Sequence, residues 1–345
     1  MTQSPHVLVT GGAGYIGSHV VRALLEHGWA PVVLDDLSTG HRQSVPDTVD
    51  FVRGSIGDRQ ALDRLFTTKQ IRSVVHLAAA TYVEESVRAP ERYYYTNVAE
   101  ALGLLESMAA HGVDRIVFSS SCTVYGIPAE VPVTEASALR PINPYGCTKA
   151  IFEQMLRDFH VAHGLQWVAL RYFNAGGADA EGDIGEDHRP EPHLVPRILQ
   201  SVLHRCVAGV SAPAEPLTVY GSDYPTRDGT CVRDYVHVVD LADAHVRALE
   251  YLDAGEQPIA INLANEEGLS VLEVVHACQE VTGYEIPYVF SGRRHGDAPE
   301  LIGDARLAGK VLGWKARCSE LRHIIETAWR WHSTHPHGYR NQGEP

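Results

Sequence analysis

Tyr145 and Lys149 stand four residues apart in the stretch Tyr145-Gly-Cys-Thr-Lys149, downstream of the run Ser119-Ser120-Ser121. On a helix this spacing puts phenol and ammonium on one face. The charge of Lys149 favours the phenolate and is expected to lower the Tyr145 pKa. A phenolate available near neutral pH is a general base that can take a proton from an alcohol. Ser121 can hydrogen-bond the same hydroxyl. This is equipment for oxidising a carbinol carbon, and it requires a hydride acceptor.

A cradle for that acceptor lies near the N-terminus. His6-Val7-Leu8-Val9-Thr10 reads as a short buried strand. It runs into Gly11-Gly12-Ala13-Gly14-Tyr15-Ile16-Gly17, after which Ile16, Val20, Val21, Leu24 and Leu25 mark one face of a helix closing at Gly28. Glycines at 11, 14 and 17, placed between a strand and a helix, let backbone approach a pyrophosphate at the free N–H groups of the helix start. The second strand, Pro31-Val-Val-Leu-Asp35-Asp36, ends in acid. Asp35 follows Gly17 by 18 residues, close to the roughly 20 expected of a ribose ligand. A carboxylate there accepts from ribose hydroxyls and repels a 2′-phosphate, which favours NAD over NADP.

The elements between these points alternate. A brief strand at Phe51-Val52 precedes a helix through Leu62, Leu65 and Phe66. The strand Ser73–Ala80 ends in small residues that leave room for a cofactor. Pro90 opens a long helix that carries Asn97 and runs to His111. Arg115-Ile-Val-Phe118 is another strand, ended by the three serines. A proline-rich loop leads to Tyr145 and to a helix through Lys149, Phe152, Met155, Leu156 and Phe159. Trp167–Phe173 is a strand closed by Asn174-Ala-Gly-Gly177. Such alternation predicts an α/β fold, a doubly wound parallel sheet of Rossmann type with right-handed crossovers. Ligands bind at the carboxyl ends of its strands, where Gly11, Asp35, Ala78 and Ser121 all fall.

The texture changes after Gly177. Asp179 to Pro192 is acidic, punctuated by Gly and Pro, and reads as a loop at a domain edge. His193-Leu194-Val195-Pro196 opens a helix to about Cys206, and Gly209 to Pro216 is a loop. Thr230–Val238 is strand-like, with Arg233 flanked by apolar residues. A helix through Leu241, Ala244, Val246 and Leu249 and a strand Ala260–Leu263 follow. Helices near Val271–Val281 and Leu321–Trp331 flank a strand at Pro287–Phe290 and the turn Arg293-Arg294-His295-Gly296-Asp297. The expected organisation is an NAD-binding domain over 1–177, with 236–264 returning to it. A smaller C-terminal α/β lobe, 178–235 and 265–345, would hold the substrate.

Composition excludes several classes. The 345 residues carry a net charge of −14, which argues against non-specific binding to nucleic acid or to an anionic membrane. The longest apolar stretches are strand-sized, so no membrane span is expected, and Met1–Pro5 shows no signal-peptide pattern. The six cysteines are scattered without a Cys-x-x-Cys pair. That points to reduced thiols, a cytoplasmic location and no zinc site. Among the nineteen histidines, His160/His163 and His332/His335/His337 lack a matching acid or cysteine cluster, so no metal centre is expected.

Gly11–Gly17, Ser119–Gly126, Tyr145–Lys149, Arg171-Tyr-Phe-Asn174, Tyr220–Thr230 and Val232–Val238 together resemble the extended short-chain dehydrogenase/reductase family over nearly the whole chain. Within it, the chain looks like the nucleotide-sugar 4-epimerase branch. The resemblance implies reversible epimerisation at carbon 4 of a UDP-hexose, UDP-galactose to UDP-glucose, by transient oxidation with bound NAD and return of hydride to the opposite face. By position, Tyr145 would be the base toward the 4-hydroxyl, Lys149 its tuner and a nicotinamide-ribose ligand, and Ser121 a neighbour of that hydroxyl. Gly11, Gly14, Tyr15, Ile16, Gly17, Asp35, Asp36, Ser55, Ile56, Leu77, Ala78, Ala79, Asn97, Ser119, Tyr172 and Phe173 would join Tyr145 and Lys149 at the cofactor. Thr123, Asn174, His193, Leu194, Arg233, Tyr235, Arg294 and Asp297 would join Ser121 and Tyr145 at the UDP-sugar. A homodimer paired through the helices at Pro90–His111 and Pro144–His163 is also implied.

Some positions depart from the family pattern. Ser55 stands where many relatives place an aspartate on adenine, and Thr81 where a lysine is frequent. Leu301 occupies the place whose size is associated with admitting or excluding an N-acetyl group. Cys122 and Thr123 stand where related dehydratases carry Asp and Glu. That favours epimerisation over the alternative of a nucleotide-sugar dehydratase. Further alternatives are a 4-epimerase of UDP-glucuronate, a UDP-pentose or a UDP-N-acetylhexosamine, and a non-catalytic NAD-sensing protein, which would lack an intact Ser–Tyr–Lys set.

Overall fold

In β1 (His6–Thr10) Val7 and Val9 belong to one apolar core, Leu8 to another, and all three are fully buried. A strand that is apolar on both faces must be covered on both, which is the situation of a parallel sheet between helices. The computed structural model, which describes residues 6–210, 216–294 and 297–339, has this arrangement. The expectations placed on Met1–Pro5, on His295 and Gly296, and on most of the Gly209–Pro216 loop lie outside the described residues.

The main sheet also contains β2 (Ala30–Asp35), β3 (Asp50–Arg53), β4 (Ile71–His76), β5 (Arg115–Ser121) and β6 (Gln166–Tyr172). After the short β7 (Asn174–Gly176), β8 (Leu217–Tyr220) and β9 (Val232–His237), the chain returns with β10 (Ile259–Leu263), which pairs in parallel with β6. The seven strands run in the order β10-β6-β5-β4-β1-β2-β3. One face is covered by α1 (Tyr15–Glu26) and, much later in the chain, α8 (Val238–Asp253). The other face is covered by α2 (Arg59–Lys69), α5 (Ala101–Ala110) and α6 (Pro144–His163). The helix α6 starts where it does for local reasons. Asn143 accepts from the Gly146 N–H at 2.8 Å, and Pro144 occupies the first turn, where its missing N–H is harmless.

The second lobe is built on α7 (Leu194–Leu203), α9 (Val271–Thr282) and α11 (Leu321–Thr334) around Val195, Leu199, Tyr235, Val275 and Ile325. Here β9 pairs with β7, β11 (Gly268–Ser270) and β13 (Glu300–Leu301), while β8 pairs with β12 (Tyr288–Ser291). The helix α10 (Arg306–Leu312) packs beside α8 and β10. A small fourth core of Cys122, Val124, Tyr125, Val133, Phe173, Ala264 and Leu301 joins the two lobes beneath the site.

Two elements differ from the sequence expectation. The helix from Pro90 to His111 is not uniform: α4 (Pro90–Tyr94) passes through a π-helical turn, Tyr95–Glu100, before α5. Asn97 sits in that turn, and its amide makes two bonds to the Ala80 backbone and one to Thr148 Oγ1. A widened turn at a site wall is a common place for such an insertion. The strand expected over Ser73–Ala80 stops at His76, because the Leu77 and Ala78 N–H groups both turn to the Thr10 carbonyl at 3.0 Å. The short helices α3 (Val83–Arg88) and α10 and the short strands β8, β11 and β13 carry no signal that the sequence reading used.

Candidate functional site

A cavity of about 730 Å³ opens at the carboxyl ends of β1, β2, β4, β5 and β6. Gly11 sits at its floor with φ +73°, and a Cβ there would lie 2.6 Å from the Ala78 nitrogen. A Cβ on Gly17 would lie 2.1 Å from the Gly11 carbonyl oxygen. The glycines are therefore needed for the close approach of three backbone segments, and Gly14, the residue before α1, makes no side-chain cap. The first N–H groups of that helix are left for a ligand. Asp35, at the end of the neighbouring β2, is buried beside the glycine turn and accepts from Ala13 N at 2.9 Å and Leu37 N at 2.8 Å. Burial raises its pKa, and those two backbone bonds act against the rise.

Tyr145, on the first turn of α6, and Ser121, at the end of β5, meet in the same cavity. Lys149 lies one turn further along, buried, with Nζ donating to the Ser119 carbonyl at 2.8 Å and 5.7 Å from the centre of the Tyr145 ring. In the protein by itself the expected lowering of the phenol pKa by Lys149 is not found. Burial raises Tyr145 well above the ordinary tyrosine range, Tyr172 nearby adds to the rise, and the neighbouring Ser121 hydroxyl offsets only part of it. The same desolvation pushes Lys149 down to about 7.

This shift has a measurable consequence. Folded Lys149 binds its proton more weakly than the unfolded chain does. Stability should therefore rise as pH climbs from about 7 toward the ordinary lysine range, and the penalty should be fully present below 7. Lys149→Met removes the penalty, and the variant should melt higher than the parent at low pH. The gain should be on the order of a few kcal/mol, less the lost bond to Ser119, and should vanish at alkaline pH. Turnover should collapse in the same variant. Thermal melts at acidic and alkaline pH, with an activity assay, check both halves.

Behind the site lies a buried polar network. Glu153, two turns after Tyr145 on α6, accepts from Ser120 Oγ at 2.7 Å and from Arg171 Nε and Nη2 at 2.8 and 2.5 Å. Arg171 Nη1 also donates to Tyr125 Oη at 2.9 Å, and Tyr125 donates to Asn262 Oδ1 at 2.6 Å. The helix with the Tyr–Lys pair is thus tied to β5, β6 and β10 by groups with almost no solvent exposure.

Most of the residues singled out in the sequence line this one cavity. They include Gly14, Tyr15, Ile16, Asp36, Ser55, Ile56, Leu77, Ala78, Ala79, Ser119, Thr123, Tyr172, Phe173, Asn174, His193, Leu194 and Tyr235. The hydroxyl of Tyr15 donates to the Gly177 carbonyl at 2.6 Å, so only its ring and backbone serve the cavity. Asn97 lies behind the lining and holds Ala80 in place. Arg233, Arg294 and Asp297 are also outside the lining. Arg233 donates to the Val232 and Ala298 carbonyls and faces Asp297 at 3.5 Å, while Arg294 lies 4.0 Å over the Tyr220 ring. Arg233 and Tyr235 share a face of β9 at the two-residue period, so the basic group stands one step along the strand from the cavity.

The sequence reading misses Tyr82, Glu100 and His188, which also line the cavity. Glu100 follows Asn97 by three residues on the same helical stretch, which was an available signal. His188 was visible only as part of Glu186-Asp-His188-Arg-Pro-Glu191-Pro-His193. Apart from the histidine groups His160/His163 and His332/His335/His337 weighed in the sequence, the fold brings Glu186, His188, Glu191 and His193 together. Burial alone would lower His188, but contact with Glu186 and Glu191 outweighs it and pushes the imidazole up to about 10. Burial would raise Glu186, yet His193 and His188 hold it well below the ordinary carboxylate range. The six thiols are all unpaired.

Residues 7–264 match the NAD dependent epimerase/dehydratase family. The UDP-glucose 4-epimerase of Halalkalibacterium halodurans is 47% identical over 338 residues, which span 98% of each chain. The crystal structure of UDP-glucose 4-epimerase from Brucella ovis in complex with NAD has a TM-score of 0.90 and 45% identity over 96% of this chain and 99% of that one. The Bifidobacterium longum enzyme in complex with NAD+ and UDP has a TM-score of 0.89 and 38% identity over 97% and 100% of the two chains. The matched span exceeds half of the sequence, and these relatives align along nearly all of it. The chain belongs to the NAD dependent epimerase/dehydratase family.

Proposed function

We propose that this chain interconverts UDP-galactose and UDP-glucose by reversible epimerisation at carbon 4, with NAD as its cofactor. The observation that carries the reading is the shared cavity. The Tyr145–Ser121 pair opens into the space that holds the glycine turn and Asp35, and Cys122 and Thr123, not acids, stand beside it. The names of the relatives, and the NAD and UDP bound in the solved neighbours, support the same activity.

The residues present fit NAD. Gly11, Gly14, Tyr15, Ile16 and Gly17 would hold its pyrophosphate at the start of α1, in a turn whose tight backbone only glycine at 11 and 17 allows. Asp35 and Asp36 would take a ribose, Ser55 and Ile56 the adenine end, and Ala78, Ala79, Tyr172 and Phe173 the nicotinamide half. When bound, NAD supplies reversible acceptance of a hydride from the sugar. Tyr145 takes the proton from the 4-hydroxyl and later returns one to the same oxygen. Ser121 holds that oxygen in line. Lys149, fixed on the Ser119 carbonyl, sets the charge beneath Tyr145. Both faces of carbon 4 must be presented in turn, so the sugar has to be held loosely and the nucleotide firmly. Asn174, His193, Leu194, Tyr235, Arg233, Arg294 and Asp297 are the nucleotide's holders in this reading. Arginine suits a pyrophosphate through its paired N–H donors.

A product assay decides among the readings. UDP-galactose, UDP-N-acetylgalactosamine and UDP-glucuronate are supplied side by side. UDP-galactose should give UDP-glucose with no net reduction of NAD. Leu301 is buried against Cys122 and Phe173 and leaves less room than a small residue would, so the N-acetylated substrate should turn over more slowly. A dehydrated keto-sugar product, or no turnover of any of the three, would overturn the reading.

The division into an NAD-binding part, 1–177 with 236–264, and a sugar-binding part, 178–235 and 265–345, follows the same logic. The pairing of β10 with β6 supports it. A cytoplasmic enzyme is the matching location, and no helix among the described residues is long and apolar enough to cross a membrane. A homodimer through the surface of α4 to α6 is supported by exposed Tyr94, Leu102 and Ile151 on those helices. Sedimentation should return twice the chain mass.

A further inference from the structure

The loop between β7 and α7 carries Glu186, His188, Glu191 and His193 to one point beside the cavity. We propose that these four side chains form a structural site for a divalent first-row transition metal of the zinc class. The site would pin the loop to the start of α7.

The four donor groups converge on one point. His188 Nδ1 lies 3.1 Å from Glu186 Oε1 and 3.6 Å from Glu191 Oε2. His193 Nδ1 lies 3.6 Å from Glu191 Oε1 and in closer contact with Glu186 Oε1. All four ligand atoms fall within 4.8 Å of one another. A tetrahedral ion with ligand bonds of about 2.0–2.1 Å has edges of roughly 3.3 Å; the separations from His188 to Glu186 and Glu191 are close to this, and His193 and Glu186, now hydrogen-bonded, would move apart to admit the ion. A second observation points the same way. Glu191 Oε2 is buried, on a side chain only 4% exposed, and has no hydrogen-bond donor, with His188 Nδ1 standing off at 3.6 Å. Groups of this kind normally have partners. The other Glu191 oxygen accepts from the His193 N–H at 3.0 Å, which orients Oε2 toward His188.

Charge and donor type narrow the occupant. Two carboxylates and two neutral imidazoles sum to two negative charges, which one divalent cation balances. Imidazole nitrogens disfavour calcium and magnesium, which prefer oxygen throughout. A mixed nitrogen and oxygen set without thiolate suits a borderline ion, and four protein ligands leave no open position, as in structural zinc sites. The walls are ready-made: the Tyr15 and Tyr82 rings meet His188 edge-on, and Trp331 Nε1 fixes the Glu186 carbonyl at 3.1 Å. Since both ligating nitrogens are Nδ1, the Nε2 of His193 stays free at the cavity wall.

The test uses the full chain, stripped with a chelator and titrated with zinc chloride alone. Calorimetry and elemental analysis should find one zinc per chain. A hundredfold excess over the dissociation constant should raise the melting temperature by about 4 °C. In the double variant H188Q/E191Q the affinity should fall by more than the roughly 10–100-fold typical of losing an outer partner. Anomalous diffraction at the zinc edge, on crystals of the unaltered chain, should place the ion among the four side chains, and this readout stands even if the variant folds poorly. Absence of binding, a peak elsewhere, or unchanged affinity in the double variant would overturn the proposal. The four groups would then be an ion-pair network held by protons.

Discussion

Tyr145→Phe should leave the fold intact and lower kcat by roughly 10²–10⁴-fold, the range lost with a positioned acid–base group. The substitution deletes one oxygen from a buried ring and adds no volume. Ser121 is not orphaned by it, because its Oγ still accepts from Thr123 N at 3.2 Å and Thr123 Oγ1 at 3.0 Å. UDP binding should be unchanged within about twofold, since the phenol reaches the sugar and not the nucleotide. Kinetics with UDP-galactose and calorimetry with UDP measure the two quantities independently. An active variant would remove the base from Tyr145. The protein by itself keeps this phenol protonated, because burial pushes its pKa up. Its ionisation therefore depends on positive charge placed beside it, and Lys149, poised near 7, is the nearest adjustable source.

The second large effect is expected at Glu153. Glu153→Gln keeps the shape and removes the charge, which leaves the Arg171 guanidinium buried at 2% exposure with no counter-ion. Breaking one side of a buried ion pair costs about 3–5 kcal/mol. Arg171→Met should cost less, because the Glu153 carboxylate keeps the Arg157 guanidinium at 3.3 Å and the Ser120 hydroxyl at 2.7 Å. The double variant E153Q/R171M should be more stable than either single one, since no uncompensated charge remains. Denaturant melts of the four proteins close this cycle. If the double variant loses the sum of the two single losses, the pair is not coupled. Activity should drop in each variant even at temperatures where it is folded, because Glu153 holds α6 against Ser120, the neighbour of Ser121.

Local sequence determined a large part of this protein. The strand–glycine–helix order at Gly11–Gly17, the acid at Asp35 and the four-residue step from Tyr145 to Lys149 are short-range patterns, read within one turn or one strand. The doubly wound sheet follows from strands such as β1, whose apolar residues alternate between two cores and so require cover on both sides. The alternation also placed Gly11, Asp35, Ala78 and Ser121 at one edge, which is why so many lining residues were legible without coordinates.

Tertiary structure decided what depends on distant partners. The Tyr15 hydroxyl is taken by Gly177, 162 residues away, and the Asn97 amide by Ala80 and Thr148. No spacing rule contains those contacts. The sign of the Tyr145 shift belonged to the same class. Spacing brought Lys149 near the phenol, but burial of both groups in the fold determined that desolvation raises the phenol and lowers the ammonium. Glu186, His188, Glu191 and His193 are neighbours in sequence, yet they are brought to one point by an irregular loop braced against Trp331. A loop has no repeating geometry from which side-chain directions can be deduced, so only packing against the rest of the chain determined that the four groups converge.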